Sequence, residues 1–139
     1  MNYIEIDESL KTGILLIDEQ HLLLSNLINN FLDILKFNQK NNLLLQNIVE
    51  YINYHYKTEL MLLNLYNFSY IDKYETLYNN IISNLNRFIY KYNNINNFNS
   101  IINSFNLLSD CILSHIILDC KSIKEVFNKE IDKINITCY

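Results

Sequence analysis

The chain holds only three histidines, His21, His55 and His115, and each falls where a helical pattern would bury it. His55 and Glu59 are four residues apart, and His115 and Asp119 repeat that interval. Residues so spaced share one face of a helix. His21 ends the segment Thr12-Gly13-Ile14-Leu15-Leu16-Ile17-Asp18-Glu19-Gln20-His21, a polar helix-starting cluster that leads into an apolar stripe. Imidazole nitrogens and carboxylate oxygens that converge in a dry core are the ligands iron and zinc take. Glu59 sits where a Leu would pack, and an ionised carboxylate there needs a partner, which a bound cation supplies. Each residue alone has a plainer reading. His21 or His115 would be a satisfied core histidine, Glu59 a rim carboxylate paired to Lys57 or Lys73, Asp119 a solvated side chain, and Tyr74 and Tyr78 core tyrosines with hydrogen-bonded hydroxyls. What favours the metal reading is coincidence, since all three histidines lie on the expected inner face. The motif HxxxE is weak by itself and differs from the HExxH of zinc proteases, where the glutamate adjoins the first histidine.

The elements that must position these groups follow from the apolar period. Ile17, His21, Leu24, Ile28, Phe31 and Leu35 step by four and three, a first amphipathic helix. Leu44, Ile48, Tyr51, His55, Glu59, Leu62 and Tyr66 mark a second, and Ile71, Tyr74, Tyr78, Ile81, Leu85, Phe88 and Tyr92 a third. The fourth carries Ile101, Phe105, Leu108, Cys111 or Ile112, His115, Asp119 and Ser122, and continues to Val126. The joints, Asn38 to Asn42, Asn67 to Ser69 and Asn93 to Asn99, are short and polar, which makes sequential helices antiparallel neighbours. The expected fold is all-α, an antiparallel up-down-up-down four-helix bundle in a single domain. Its arm spans about residues 1–16, its bundle about 17–127 and its C-terminal tail about 128–139, with boundaries good to roughly two to four residues.

Composition bounds the function. At 139 residues the chain can bury a core without staples. A net charge of −4, with acidic and basic residues scattered, argues against nucleic acid as a partner. Unbroken apolar runs such as Ile14 to Ile17 are only a few residues long, so no membrane span is expected, and the start of the chain has no basic flank or apolar centre of a signal peptide. The expected location is cytoplasmic. Cys111, Cys120 and Cys138 are odd in number and lack CxxC spacing, so neither a disulfide framework nor a zinc knuckle is indicated. One Gly, no Pro, no Trp, no Ala and one Arg, beside abundant Asn, Ile, Tyr and Lys, point to an AT-rich genome. A Tyr in place of a His is then one C-to-T change. The Asn-rich stretches keep the apolar period, unlike a low-complexity tract.

The segment TGILLIDEQH, the phrase His55-Tyr56-Lys57-Thr58-Glu59-Leu60 and the later Cys111-Ile112-Leu113-Ser114-His115-Ile116 together resemble the hemerythrins, particularly the single-domain bacterial ones. The resemblance covers about residues 4–125 without a gap. It implies a four-helix bundle with a non-haem di-iron centre that binds O₂ reversibly, held by five histidines and two bridging carboxylates. His21, His55, Glu59 and His115 match ligand positions. The two third-helix histidines of the family correspond to Tyr74 and Tyr78. Its last aspartate corresponds to Cys120, with Asp119 one place early, and its usual tryptophans to Ile6 and Cys111.

The implied protein is a hemerythrin-like non-haem iron protein, not an enzyme, with O₂ as its small ligand and a site depleted to at most one ion. The alternative is a metal-free four-helix scaffold or interaction protein that has lost the di-iron centre. His21, His55, Glu59 and His115 are the expected metal ligands at one level of the core, joined by Asp119 if the helix rotates slightly. Asp119, Cys120, Tyr74 and Tyr78 are further candidates as ligands or cavity lining. Tyr74 and Tyr78 are expected to fill one cavity and to hydrogen-bond Glu59 or a histidine, since a phenol must lose a proton near pKa 10 before it can ligate. Oligomeric state is left open.

Overall fold

In the computed structural model, backbone is described for residues 3–137 and side-chain surroundings for 3–126. A short 3-10 turn, Glu8–Leu10, precedes four helices: α1 (Leu15–Lys36), α2 (Asn42–Leu65), α3 (Ile71–Asn94) and α4 (Phe98–Thr137). No strand occurs among the described residues. α1 packs on α2 and α4, and α3 packs on α4 and α2, which closes a four-helix bundle. α4 continues well past Val126, so the stretch from about 128 read as a tail is helical through Thr137. Cys138 lies outside the described residues.

Asparagine does at the helix ends what glycine does in most chains. Asn38 and Asn67 adopt φ 55° and 56°, the left-handed conformation that closes a helix. After α1, Gln39 N donates to Ile34 O at 3.1 Å and Asn38 N to Leu35 O at 2.9 Å; after α2, Phe68 N donates to Leu63 O at 3.1 Å. Asn41 caps the start of α2, its side chain accepting from Leu44 N at 2.9 Å.

The start of α1 accounts for the Thr-Gly…Asp signature. Gly13 stands at φ 92°, which a Cβ would disfavour. The Asp18 carboxylate reaches back and accepts from Thr12 N at 2.7 Å, Thr12 Oγ1 at 2.8 Å and Gly13 N at 3.1 Å. These residues clasp arm to helix, so their role is structural. Further out, Ile4 N and O pair with the Asn29 side chain, both at 2.8 Å, and Tyr3 bonds Asp33 and Lys36.

The core has two apolar parts with a polar layer between them. In α1 the order is Ile17, His21, Leu24; in α2 it is Ile52, His55, Glu59, Leu63; in α3 Tyr74 precedes Ile81; in α4 it is Ile112, His115, Asp119, Ile123, all buried. At the far end Phe31, Phe88, Tyr92 and Phe105 pack ring on ring, and Lys40 donates to Tyr92 O. Consecutive helices therefore pass through the two layers in opposite order. Phe98–Val126 within α4 is, by length and mean hydropathy 1.5, apolar enough to cross a membrane, which its short unbroken apolar runs conceal. Here it is a core helix, with Ile101, Phe105, Leu108, Ile112 and Ile116 inside the bundle.

Candidate metal centre

Three helices bring five buried donors together. His55 Nε2 lies 2.7 Å from Glu59 Oε2, one turn along α2. His115 Nε2 reaches the same oxygen at 3.0 Å, and His21 Nε2 approaches it at 3.8 Å. Asp119 Oδ2 lies 2.9 Å from His115 Nε2 and 3.3 Å from His21 Nε2. One ligand atom from each of His21, His55, Glu59, His115 and Asp119 lies within 4.8 Å of all the others. Donors about 2.0–2.2 Å from one ion lie roughly 3–4 Å from each other. The cluster is thus of a size that a single cation can close.

Hydrogen bonding around the cluster points the same way. Gln20 Oε1 lies 2.8 Å from His55 Nδ1. An amide oxygen only accepts, so Nδ1–H donates to Gln20 and Nε2 is turned to Glu59 Oε2. A proton closes that 2.7 Å approach in the ion-free chain, and a cation can take its place. His21 Nε2, His55 Nε2, Glu59 Oε1 and both Asp119 oxygens are buried without a hydrogen bond of normal geometry. Each such group costs on the order of 1–3 kcal/mol if nothing satisfies it. Leaving several of them at one point is destabilising for a bundle that could have placed Leu there.

Burial opposes the charge on Glu59, but the charge of His115 and bonds from Asp119, His115 and His21 outweigh it and hold this carboxyl well below its ordinary value. Burial dominates at Asp119 and raises it to about 6. Burial also opposes protonation of His115, yet Asp119 and Glu59 raise it to about 10; they raise His21 as well, against the same penalty. His55 is lowered, mainly by burial. The ion-free cluster is therefore partly neutralised by protons that a metal would displace.

Of the residues singled out in the sequence, His21, His55, Glu59 and His115 stand together, and Asp119, which could have been solvated, is fully buried with them. Cys120 does not join them. One residue beyond Asp119 is about 100° further round the helix, and there its thiol donates to Ser9 O at 3.0 Å and Lys11 O at 3.5 Å in the arm. Tyr74 is buried with its ring 4.9 Å from the His115 ring, and Tyr78 lines the same small cavity from a half-buried position. The Tyr74 hydroxyl faces Glu59, as expected, while Tyr78 turns elsewhere. Tyr78 donates to Asn53 Oδ1 at 3.0 Å, and the Tyr74 hydroxyl has no bond of normal geometry. Burial, then the charges of Glu59 and Asp119, push the Tyr74 phenol far above its ordinary value, so it is neutral. The cavity holds about 10 Å³ of free space beside His55 and His115, walled by Leu24, Ile52 and Ile112. That is room for about one water-sized molecule.

Compared with protein-family models, with curated proteins and with solved structures, the chain matches none.

Sequence reasoning missed Gln20 and Tyr56. Gln20 was legible, being three residues from Ile17 and four from Leu24 on the same stripe. Tyr56 stacks across the α2–α3 seam, a contact no single-helix period signals.

Proposed function

We propose that this chain is a hemerythrin-like non-haem iron protein that holds one ion through His21, His55, Glu59, His115 and Asp119. The observation that carries the reading is the convergence of five buried donors, several unsatisfied, on one point. Three imidazoles and two carboxylates make a borderline N/O set that suits iron. Bound there, iron supplies a redox-active centre with affinity for dioxygen. The protein's own contribution is to fix the donors on rigid helices, to orient His55 through Gln20, and to keep water out with the apolar layers above and below. Reversible O₂ binding is weak or absent, because the third helix offers phenols where a second ion would need imidazoles. The protein is a binding protein, not an enzyme, working in the cytoplasm.

One observation favours the metal-free scaffold instead. The carboxylates already have close histidine partners, at 2.7 Å for Glu59 with His55 and 2.9 Å for Asp119 with His115. Anaerobic loading with Fe(II), removal of unbound iron and metal analysis separate the two. The expected result is one iron per chain, lost in His21→Ala and His55→Ala variants that still fold. No bound iron supports the scaffold, and two irons with an oxygen-dependent charge-transfer band would mean an ordinary di-iron centre.

A further inference from the structure

Beside the cluster, three of the eleven tyrosines form a column of rings that runs from the core to the surface. The Tyr74 ring lies 4.9 Å from that of His115, Tyr56 stacks on Tyr74 at 5.5 Å with planes 5° apart, and Tyr78 stacks on Tyr56 at 3.4 Å and 9°. Tyr74 is fully buried, while Tyr56 and Tyr78 are half-buried in the α2–α3 seam. Packing alone calls for rings here, not for phenols. Phe would fill the same space without placing a hydroxyl against the buried Glu59 carboxylate. What a phenol adds to a phenyl ring is that it can lose one electron and one proton.

We propose that Tyr74, Tyr56 and Tyr78 form a relay that carries oxidising equivalents from an ion held by His115 to the protein surface. The proposal rests on the iron reading above and takes hydrogen peroxide as its co-reactant. One peroxide accepts two electrons and two protons and leaves as two waters. Tyr56 and Tyr78 each supply one electron and one phenol proton. Tyr74 gives an electron towards the ion while its phenol proton passes to the Glu59 carboxylate beside it, and recovers that proton with an electron from Tyr56, so it ends unchanged. With no external reductant present, the two surface phenoxyls couple. The ring carbons beside their oxygens join, each ring returns the displaced hydrogen to its oxygen, and the pair has lost two hydrogens in total.

The test uses the full chain loaded with Fe(II), freed of unbound iron and given one equivalent of hydrogen peroxide. Expected are a tyrosyl signal in electron paramagnetic resonance, dityrosine fluorescence, and a linked Tyr56–Tyr78 peptide pair two hydrogens lighter. Tyr74→Phe keeps the ring and every protein donor of the cluster, so the variant should fold and bind iron equally while losing the cross-link. The half-buried Tyr51 and exposed Tyr54, with ring centroids 5.9 Å apart on α2 and outside the stacked column, are an internal control that should stay unlinked. Iron bound with equal cross-linking in Tyr74→Phe, equal linking of Tyr51 with Tyr54, or no tyrosine oxidation overturns the relay and leaves the iron site standing. A chain that binds no iron, read directly from metal content, overturns both.

Discussion

Gln20→Leu should weaken metal binding about 10- to 100-fold, the usual effect of removing a group that orients a ligating histidine. That range corresponds to about 1.4–2.7 kcal/mol, and the structure shows its source. With Gln20 present, the bond of 2.8 Å from His55 Nδ1 keeps a proton at Nδ1, so Nε2 is the nitrogen an ion takes. With Leu there, neutral His55 gains more by moving its proton to Nε2, where Glu59 Oε2 waits at 2.7 Å to accept it. The ion-free protein then loses little stability, because one buried hydrogen bond replaces another. Metal binding must break that new bond and leave Nδ1–H unpaired in the core, at about 1–3 kcal/mol. Gln20→Glu, whose carboxylate accepts more strongly from Nδ1–H, should hold or raise the affinity. Fe(II) titrated anaerobically against a chelator gives the affinities, and urea unfolding of the ion-free forms gives the stabilities. Equal affinity in wild type and Gln20→Leu, with the fold intact, would show that Gln20 does not set the tautomer.

Acid should weaken metal binding. In the ion-free chain His115 is raised to about 10 and Asp119 to about 6, so below pH 10 an ion must displace the His115 proton, and below pH 6 the Asp119 proton too. Because His21 is raised as well, the logarithm of affinity should fall by more than about one per pH unit near neutrality and more steeply still below pH 6, as competitive titrations at several pH values would record. Gly13→Ala should cost about 1–2 kcal/mol in urea unfolding, because φ 92° sets a new Cβ against the backbone and loosens the Asp18 clasp. Cys120→Asp should destabilise by about 1–3 kcal/mol without adding a ligand, since it turns a carboxylate towards the carbonyls of Ser9 and Lys11; a gain in iron content would contradict the placement of Cys120.

Much of this was legible because helices repeat. Glu59 could be read as buried once Ile48, Tyr51, His55 and Leu62 gave α2 its face, and the interval from His115 to Asp119 put both on one side of α4. Difficulty came where two criteria competed. The family register placed the last carboxylate at position 120, but the helix turns that position to the arm and leaves Asp119 inside. Contacts between helices were harder still. Tyr78 lies on the stripe of α3, yet its hydroxyl goes to Asn53 because Tyr56 from α2 occupies the space inward of it. The length of α4 was itself legible, since Phe127, Ile131 and Ile134 continue the steps of four and three from Ile123 and no Gly or Pro intervenes before Thr137, so a tail beginning near 128 ended the helix too early.

Charge is a second reason why the proposed centre would hold one ion and not two. Once an ion displaces the histidine protons, Glu59 and Asp119 leave two negative charges in a core where the ligating imidazoles are neutral and the Tyr74 phenol stays protonated. One divalent cation leaves such a layer neutral. A second would leave two positive charges uncompensated between apolar layers, a cost of several kcal/mol per charge even after relaxation. Tyr74 also fills with its ring the place beside His115 from which a third-helix imidazole would reach that ion. Tyr74→His with Tyr78→His would supply donors without supplying charge. Raising iron content above one per chain should therefore also need a further carboxylate facing the cluster.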